Sequence, residues 1–235
     1  SKHAAASGRP CLTVHPIGVP HLEPEETPLY GGRAGEAPPP SPRLAAFWRA
    51  LQRYADDERI PEFEVSLEVT HHGPWQLGPA AFVEVGSTAA TWAHAGAAEV
   101  WADVLLNVLR LELEGGQAPN EPSHVPVLVT LGGGHYAPRG NAMAGQDGAL
   151  LGHMLANHSL PFSRMDDGKV QGRWSHAVDT AIEATRAAHP DRTMVISFDR
   201  KSFRGWERRA LFEHLAAIGV DVVDSAEHAS MLQDA

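Results

Sequence analysis

The sequence predicts an α/β fold of three layers, with a mixed and mostly parallel sheet between helices. Three observations predict it. Short apolar or alternating runs take turns with longer runs of helical spacing, without a break, along the 235 residues. Two of the strand-like runs end in glycine-rich turns, Gly86-Ser87-Thr88 and Gly132-Gly133-Gly134. No internal repeat and no linker divides the chain, so residues 1–235 read as one domain.

The elements follow in order. Cys11 to His15 is a short apolar strand. Residues 16–40, rich in Pro and Gly, form a long loop, a length often tied to function. Ser41-Pro42 supplies an N-cap and a first-turn proline, and Leu44, Phe47, Trp48, Leu51 and Tyr54 then repeat at helical spacing. Phe63, Val65, Leu67 and Val69 alternate with Glu62, Glu64, Ser66, Glu68 and Thr70, the period of a half-buried strand. Ala81 to Val85 is a second such strand. A long helix follows, carrying Trp92, Trp101, Val104, Leu105 and Val108, with Ser87 or Thr88 as its cap. Gly115 to Pro122 reads as a loop and Val125 to Leu131 as a buried strand. A short helix is expected over Gly148 to Asn157 and a polar loop over Met165 to Arg173. A helix over Ser175 to Ala188, a strand over Thr193 to Phe198, a helix over Trp206 to Ile218 ended by Gly219, and a strand over Val220 to Val223 complete the chain.

Composition narrows the function. The chain holds 19 basic and 29 acidic residues, so any nucleic-acid partner must meet a local basic patch rather than a basic protein. No apolar run is long enough to cross a membrane, and Ser1 to Pro10 lacks the apolar middle of a signal peptide. A single cysteine, Cys11, excludes an internal disulfide and fits a reducing, cytoplasmic setting. Fourteen histidines make metal binding or acid–base chemistry a natural question. His124, His189 and His228 read as surface residues.

In sheets of this kind ligands bind beyond the carboxyl ends of the strands. Three such ends carry chemistry. In Glu68-Val69-Thr70-His71-His72-Gly73-Pro74 two adjacent histidines are expected to point to opposite sides, and so to take different roles. In Phe82-Val83-Glu84-Val85-Gly86-Ser87-Thr88 a carboxylate sits inside an apolar strand, where it needs a histidine or metal partner. In Gly132-Gly133-Gly134-His135-Tyr136-Ala137-Pro138-Arg139 the glycines permit close approach to the backbone, and match neither a P-loop nor a dinucleotide fingerprint. His153 lies in an apolar segment, and His3 and His15 flank the first strand. His71, His72, Glu84 and His135 fall on one predicted sheet edge. Zinc takes such nitrogen and oxygen donors, although their spacing matches no close zinc signature.

These three segments resemble the main signatures of the archaeal and plant D-aminoacyl-tRNA deacylases. Trp92, Ser1-Lys2-His3, Leu12 to Gly18, Gly152-His153 and Gly205 to Arg209 resemble further parts of the same pattern, in order, over nearly the whole chain. Val19 and Trp75 stand where the family usually has asparagine and threonine. The family begins well before its Ser-Arg/Lys-His segment, so a single domain lacking that N-terminal stretch is expected here. The resemblance implies a phosphorylase/hydrolase-like fold, zinc as cofactor, and hydrolysis of the ester joining a D-amino acid to tRNA, including aldehyde-modified D-aminoacyl-tRNA. The partner is then the aminoacylated 3′ end of tRNA, with neither DNA nor a membrane expected.

Within that reading His72, His135 and His153 are candidate metal ligands. Glu84 is a ligand or general base, and His71 either supports a metal ligand from behind or hydrogen-bonds the substrate. Thr88, Ser87 and the backbone around Gly86, Gly133 and Gly134 bind phosphate, ribose or an oxyanion. Tyr136 makes polar contacts to the ligand. Arg139, Lys201, Arg204, Arg208, Lys169 and Arg173 are candidate tRNA contacts. The residues alone also fit another metal hydrolase, such as an aminopeptidase or amidohydrolase, a metal-free nucleoside- or phosphate-binding enzyme, or a non-catalytic tRNA- or nucleoside-binding paralogue.

Overall fold

The structure, a computed structural model, describes residues 1–109, 125–146 and 148–233. The expected loop over Gly115 to Pro122, and His124, lie outside the described residues. Two four-stranded sheets form the centre. The first contains β1 (Lys2–Ala4), β2 (Cys11–His15), β3 (Glu64–Leu67) and β4 (Phe82–Ser87), in the order β1-β4-β2-β3. Its outer pairs are parallel and β2 runs antiparallel to β4. The second contains β5 (Val127–Leu131), β6 (Leu150–Leu155), β9 (Met194–Phe198) and β10 (Asp221–Val222), in the order β10-β9-β5-β6, all parallel. A small hairpin of β7 (Ser163–Arg164) and β8 (Val170–Gln171) replaces the polar loop expected there.

The two sheets meet at a seam. The Thr70 N–H donates to the Met154 carbonyl (2.7 Å), the Met154 N–H returns to Thr70 Oγ1 (3.1 Å), and the Val69 N–H donates to the His135 carbonyl (2.9 Å). The fold is therefore mixed and mostly parallel, as the pattern predicts.

Among the described residues six α-helices cover it: α1 (Leu44–Gln52), α2 (Ala95–Leu109), α3 (Pro138–Ala144), α4 (Trp174–Ala188), α5 (Gly205–Ala217) and α6 (Ser225–Gln233). Alternation along the second sheet sorts its side chains into two cores. Leu128, Leu151, Met154 and Val195 pack with Phe47, Trp48, Leu51 and Val104 of α1 and α2. Val129, Leu131, Ile196 and Phe198 pack with Val178, Ile182 and Leu211 of α4 and α5. Strands β5, β6 and β9 thus bury both faces, which yields the three layers.

The segment expected as a helix over Gly148 to Asn157 is instead β6. Leu150-Leu151-Gly152-His153-Met154-Leu155 is buried at every position, so it carries no period that separates a central strand from a helix. The long helix starts at Ala95 rather than at Ser87 or Thr88, and its cap is His94, whose Nδ1 accepts the Ala97 N–H (3.2 Å). His189 and His228 are buried rather than on the surface. Among the described residues no helix is long and apolar enough to cross a membrane.

Candidate active site

β1, β2 and β4, together with the segments that leave β3 and β5, bring five histidines and two glutamates together. The cluster borders a cavity of about 330 Å³ lined by His3, His71, His72, Glu84, His135 and Tyr30, among others. Glu84 is 3% exposed in its lining, and Glu68 is fully buried at 0%. Glu84 comes from the middle of β4, on the face shared with β2. Glu68 comes from the residue after β3, where the chain turns into the seam.

The contacts form a chain. His3 Nδ1 lies 3.2 Å from Glu68 Oε1 and 3.3 Å from Glu84 Oε2. His15 Nε2 lies 3.6 Å from Glu84 Oε2. His135 and His71 approach Glu68 Oε2 to 2.8 and 3.6 Å. The His15 ring stacks on His71 at 4.1 Å and meets His72 edge-on at 5.0 Å. His15 and His71 each turn Nδ1 toward a backbone carbonyl, that of Pro16 at 2.9 Å and that of Val69 at 2.8 Å, so their Nε2 atoms face the cluster. The Tyr136 hydroxyl lies 3.2 Å from His3 Nε2.

The electrostatics are lopsided. Burial works to raise the Glu84 carboxyl, but the His15 and His3 imidazoles outweigh it and hold the group well below the usual carboxylate range. Glu68 is likewise raised by burial and lowered more by His135, His15, Thr13 and His3. Both are therefore ionised at neutral pH. Burial, with help from neighbouring His15, pushes His71 down to about 3 and also lowers His72, so both are neutral. His3 is raised by its contact with Glu84 against the opposing effect of burial. Two buried negative charges thus stand beside two neutral imidazoles, those of His71 and His72. Neither Glu68 oxygen, nor His15 Nε2, makes a well-directed hydrogen bond, although all three atoms are buried. Donor atoms of His15, His71 and His72 lie within 4.8 Å of one another, as do those of His3, Glu68 and His135, and those of His15, Glu68 and Glu84.

The family model described as D-aminoacyl-tRNA deacylase matches residues 1–223. The chain belongs to the D-aminoacyl-tRNA deacylase family. It is 40% identical to a D-aminoacyl-tRNA deacylase of Arabidopsis thaliana, over 94% of this chain and 73% of the relative. It is 31% identical to one from Archaeoglobus fulgidus, over 96% of this chain and 70% of the relative, and 30% identical to one from Methanosarcina barkeri, over 97% and 64%. The crystal structure of a conserved protein of unknown function superposes with a TM-score of 0.73 at 28% identity, covering 98% of this chain and 71% of that one.

In this family member the structure gathers some of the expected site residues and separates others. His71, His72, Glu84 and His135 meet. The two adjacent histidines do not point to opposite sides: their rings are 4.4 Å apart, because His72 has a φ of 41° and the strand alternation has ended. His153 lies apart from the cluster. Its Nε2–H donates to the Pro38 carbonyl (3.0 Å) and its Nδ1 accepts from the Thr70 hydroxyl (2.9 Å), so both nitrogens are occupied in a wholly buried ring.

Gly86 serves close packing. A Cβ there would lie 2.5 Å from Cys11 Sγ and 2.7 Å from His3 Cδ2, so only glycine lets β1 bring His3 this close. Ser87 donates its hydroxyl to the Arg9 carbonyl (2.7 Å), and the Thr88 amide is bonded to Thr91 Oγ1 (3.1 Å). With α2 starting at Ala95, the Gly86–Thr88 amides are not a helix N-terminus. The Gly133 amide is taken by Ser202 Oγ (2.9 Å) and the Gly134 carbonyl by Ala137 N–H (3.2 Å). Arg139 braces Ser197 and Ser225 with bonds of 2.7 to 2.9 Å. Lys201 and Arg204 are exposed at the entry to α5, outside the cavity lining. Lys169 pairs with Asp167 and Arg173 with Glu23. Arg208 Nη1 donates to the Arg200 carbonyl (3.2 Å).

Glu68 is the residue that sequence reasoning misses. It stands in the polar phase of an alternating strand, next to surface glutamates, yet it is the most buried carboxylate of the site. The signal was the run Thr70-His71-His72 just beyond it, which places it at a functional strand end.

Proposed function

We propose that this chain hydrolyses the ester bond of D-aminoacyl-tRNA, with zinc held by the histidine–glutamate cluster. The observation that carries the reading is a cluster in which His71 and His72, held neutral, sit beside two buried, ionised carboxylates. A dication would neutralise them, and isolated buried charge is otherwise costly. The Glu68 oxygens and His15 Nε2, buried without a well-directed hydrogen bond, fit the group, as does a donor set of imidazole nitrogen and carboxylate oxygen. His15, His71 and His72 on one side, and Glu68 and His135 on the other, would hold it. When bound, zinc supplies a water acidic enough to ionise near neutral pH and polarises the ester carbonyl.

The chain's own residues do the rest. Glu84, held ionised, is a weak base and acts by orienting His3 and His15. His3 is the proton carrier: Nδ1 is fixed between the two carboxylates, and Nε2 faces the Tyr136 hydroxyl beside the cavity, where it can protonate the departing ribose 3′ oxygen. Tyr136 holds that nitrogen in place. Tyr30, 73% exposed at the cavity mouth, offers an aromatic face to the terminal adenosine. The family resemblance supports extending the substrate to aldehyde-modified D-aminoacyl-tRNA.

The test is deacylation of D-tyrosyl-tRNA and L-tyrosyl-tRNA, with the protein as purified, after chelation, and after zinc add-back. Release of the D-amino acid alone, lost on chelation and restored by zinc, is expected. No release by folded, zinc-supplied protein would overturn the reading.

A further inference from the structure

An acidic chain that handles tRNA needs a place where phosphate is welcome, and the cation distribution provides one. Residues 164–209 hold ten Lys/Arg and seven Asp/Glu, against nine and twenty-two over the rest of the chain. Here the fold makes a groove of about 640 Å³ between the β7–β8 hairpin and the start of α5. Arg164, Lys169 and Arg209 line it, with Trp206 and Trp174 in its wall. Arg164 and Arg209 are exposed and form no salt bridge among the described residues. Trp174 is 7% exposed, and its buried indole N–H has no acceptor.

The groove lies on the same sheet edge as the catalytic cluster. His135 leaves the carboxyl end of β5, the hairpin follows the carboxyl end of β6, and α5 follows the carboxyl end of β9. These exits are tied together: the Gly133 N–H donates to Ser202 Oγ (2.9 Å) and Asn157 Nδ2 donates to the Ser202 carbonyl (2.6 Å). Gly133 is two residues before His135, and Ser202 is three before Gly205. A bound polyanion could run from the cavity along this edge into the groove. The acidic remainder of the surface would repel it elsewhere, which sets the direction of approach.

We propose that this groove is the docking surface for the phosphodiester backbone of the tRNA acceptor arm. The proposal rests on tRNA being the substrate, as argued above. Exposed cations on a hairpin and a helix position a nucleic acid without reading its sequence, so the groove serves all tRNAs alike.

The test is the double charge reversal Arg164→Glu/Arg209→Glu in the full chain. Surface substitutions of this kind cost little stability. Two readouts are needed: binding of deacylated tRNA across a salt series, and zinc-supplied hydrolysis of D-tyrosyl-tRNA and of D-tyrosyl-adenosine, which has no acceptor arm. Expected is tRNA binding weakened about tenfold or more at low salt, with a log–log salt slope flatter by about 2. D-tyrosyl-tRNA turnover at low substrate should fall in step, while D-tyrosyl-adenosine turnover stays at the wild-type rate. A double variant equal to wild type in tRNA binding would overturn the groove while leaving the deacylase reading standing. Equal, groove-dependent binding of polyglutamate by the wild type would also overturn it, in favour of an acidic protein partner. Wild-type failure on both D-tyrosyl substrates would sink the deacylase reading and the groove with it.

Discussion

Glu68 and Glu84 converge on one imidazole, that of His3, whose Nδ1 is 3.2 Å from the first and 3.3 Å from the second. A single nitrogen can give its proton to only one of them. The other oxygen then goes without the His3 proton.

Glu84→Gln keeps the volume and removes the charge that orients His3 and His15. Turnover of D-tyrosyl-tRNA should drop by about 100-fold or more, while circular dichroism and the melting transition remain those of a folded protein. Activity near wild type would take Glu84 out of the mechanism.

Glu68→Gln should weaken zinc retention by about tenfold or more, since it withdraws a buried negative donor from the set. Elemental analysis after dialysis against a mild chelator reads this directly. His153→Asn is the control: with both ring nitrogens used by Thr70 and Pro38, it should leave zinc content unchanged. Equal zinc loss in both variants would contradict the assignment.

Asn141 of α3 is a positioning residue. Its Oδ1 accepts from Trp48 Nε1 (2.8 Å) and the Leu67 N–H (2.9 Å), and its Nδ2 donates to the Tyr136 carbonyl (2.7 Å). It ties α1 and the end of β3 to the loop that carries His135 and Tyr136. Asn141→Leu leaves these groups unpaired and should cost about 2 to 3 kcal/mol in urea unfolding. It should also lower kcat with little change in KM. Asn141→Asp, which keeps the acceptor, should recover part of the stability. A variant as stable as wild type would show that the network is dispensable.

Acid should destabilise the fold before the carboxylates titrate. His153 and His189 are pushed down to about 4 from an ordinary 6.5, chiefly by burial. Above 6.5 both folded and unfolded chains hold these rings neutral, and their contribution is fully present. As pH falls from 6.5 to 4 the unfolded chain takes up protons that the folded chain refuses, so stability falls. For His153 the loss levels off near about 3 kcal/mol. Urea midpoints measured across this window should decline, and less steeply in His153→Gln. A flat profile would show that neither ring is held neutral by the fold.

The legible parts of the sequence were those whose physics is local. Glu84 stood out because a carboxylate inside an apolar strand demands a partner, and His135 because it follows a turn of three glycines. The illegible parts depend on distant chain segments. His3 and His15 are single residues whose partner, Glu84, lies far along the chain. Glu68 kept step with a surface pattern that ends at Leu67, one residue too early. β6 lacked any period because both of its faces are covered, and the backbone turn at His72 that joins it to His71 left no mark beyond Gly73. The glycines at 86 and 133 were visible as glycines, but their use, close packing on His3 and a bond to Ser202, belongs to the tertiary structure.

The seam made by Thr70 and Met154 has a consequence for how activity can be lost. His3, His15 and Glu84 belong to one sheet, His135 belongs to the other, and Glu68, His71 and His72 sit on the join. Neither half holds a usable site alone, so catalysis reports whether the two halves are docked. A solvent, a temperature or a distant substitution that pries the halves apart by a fraction of an ångström should silence the enzyme while both halves still look intact to spectroscopy.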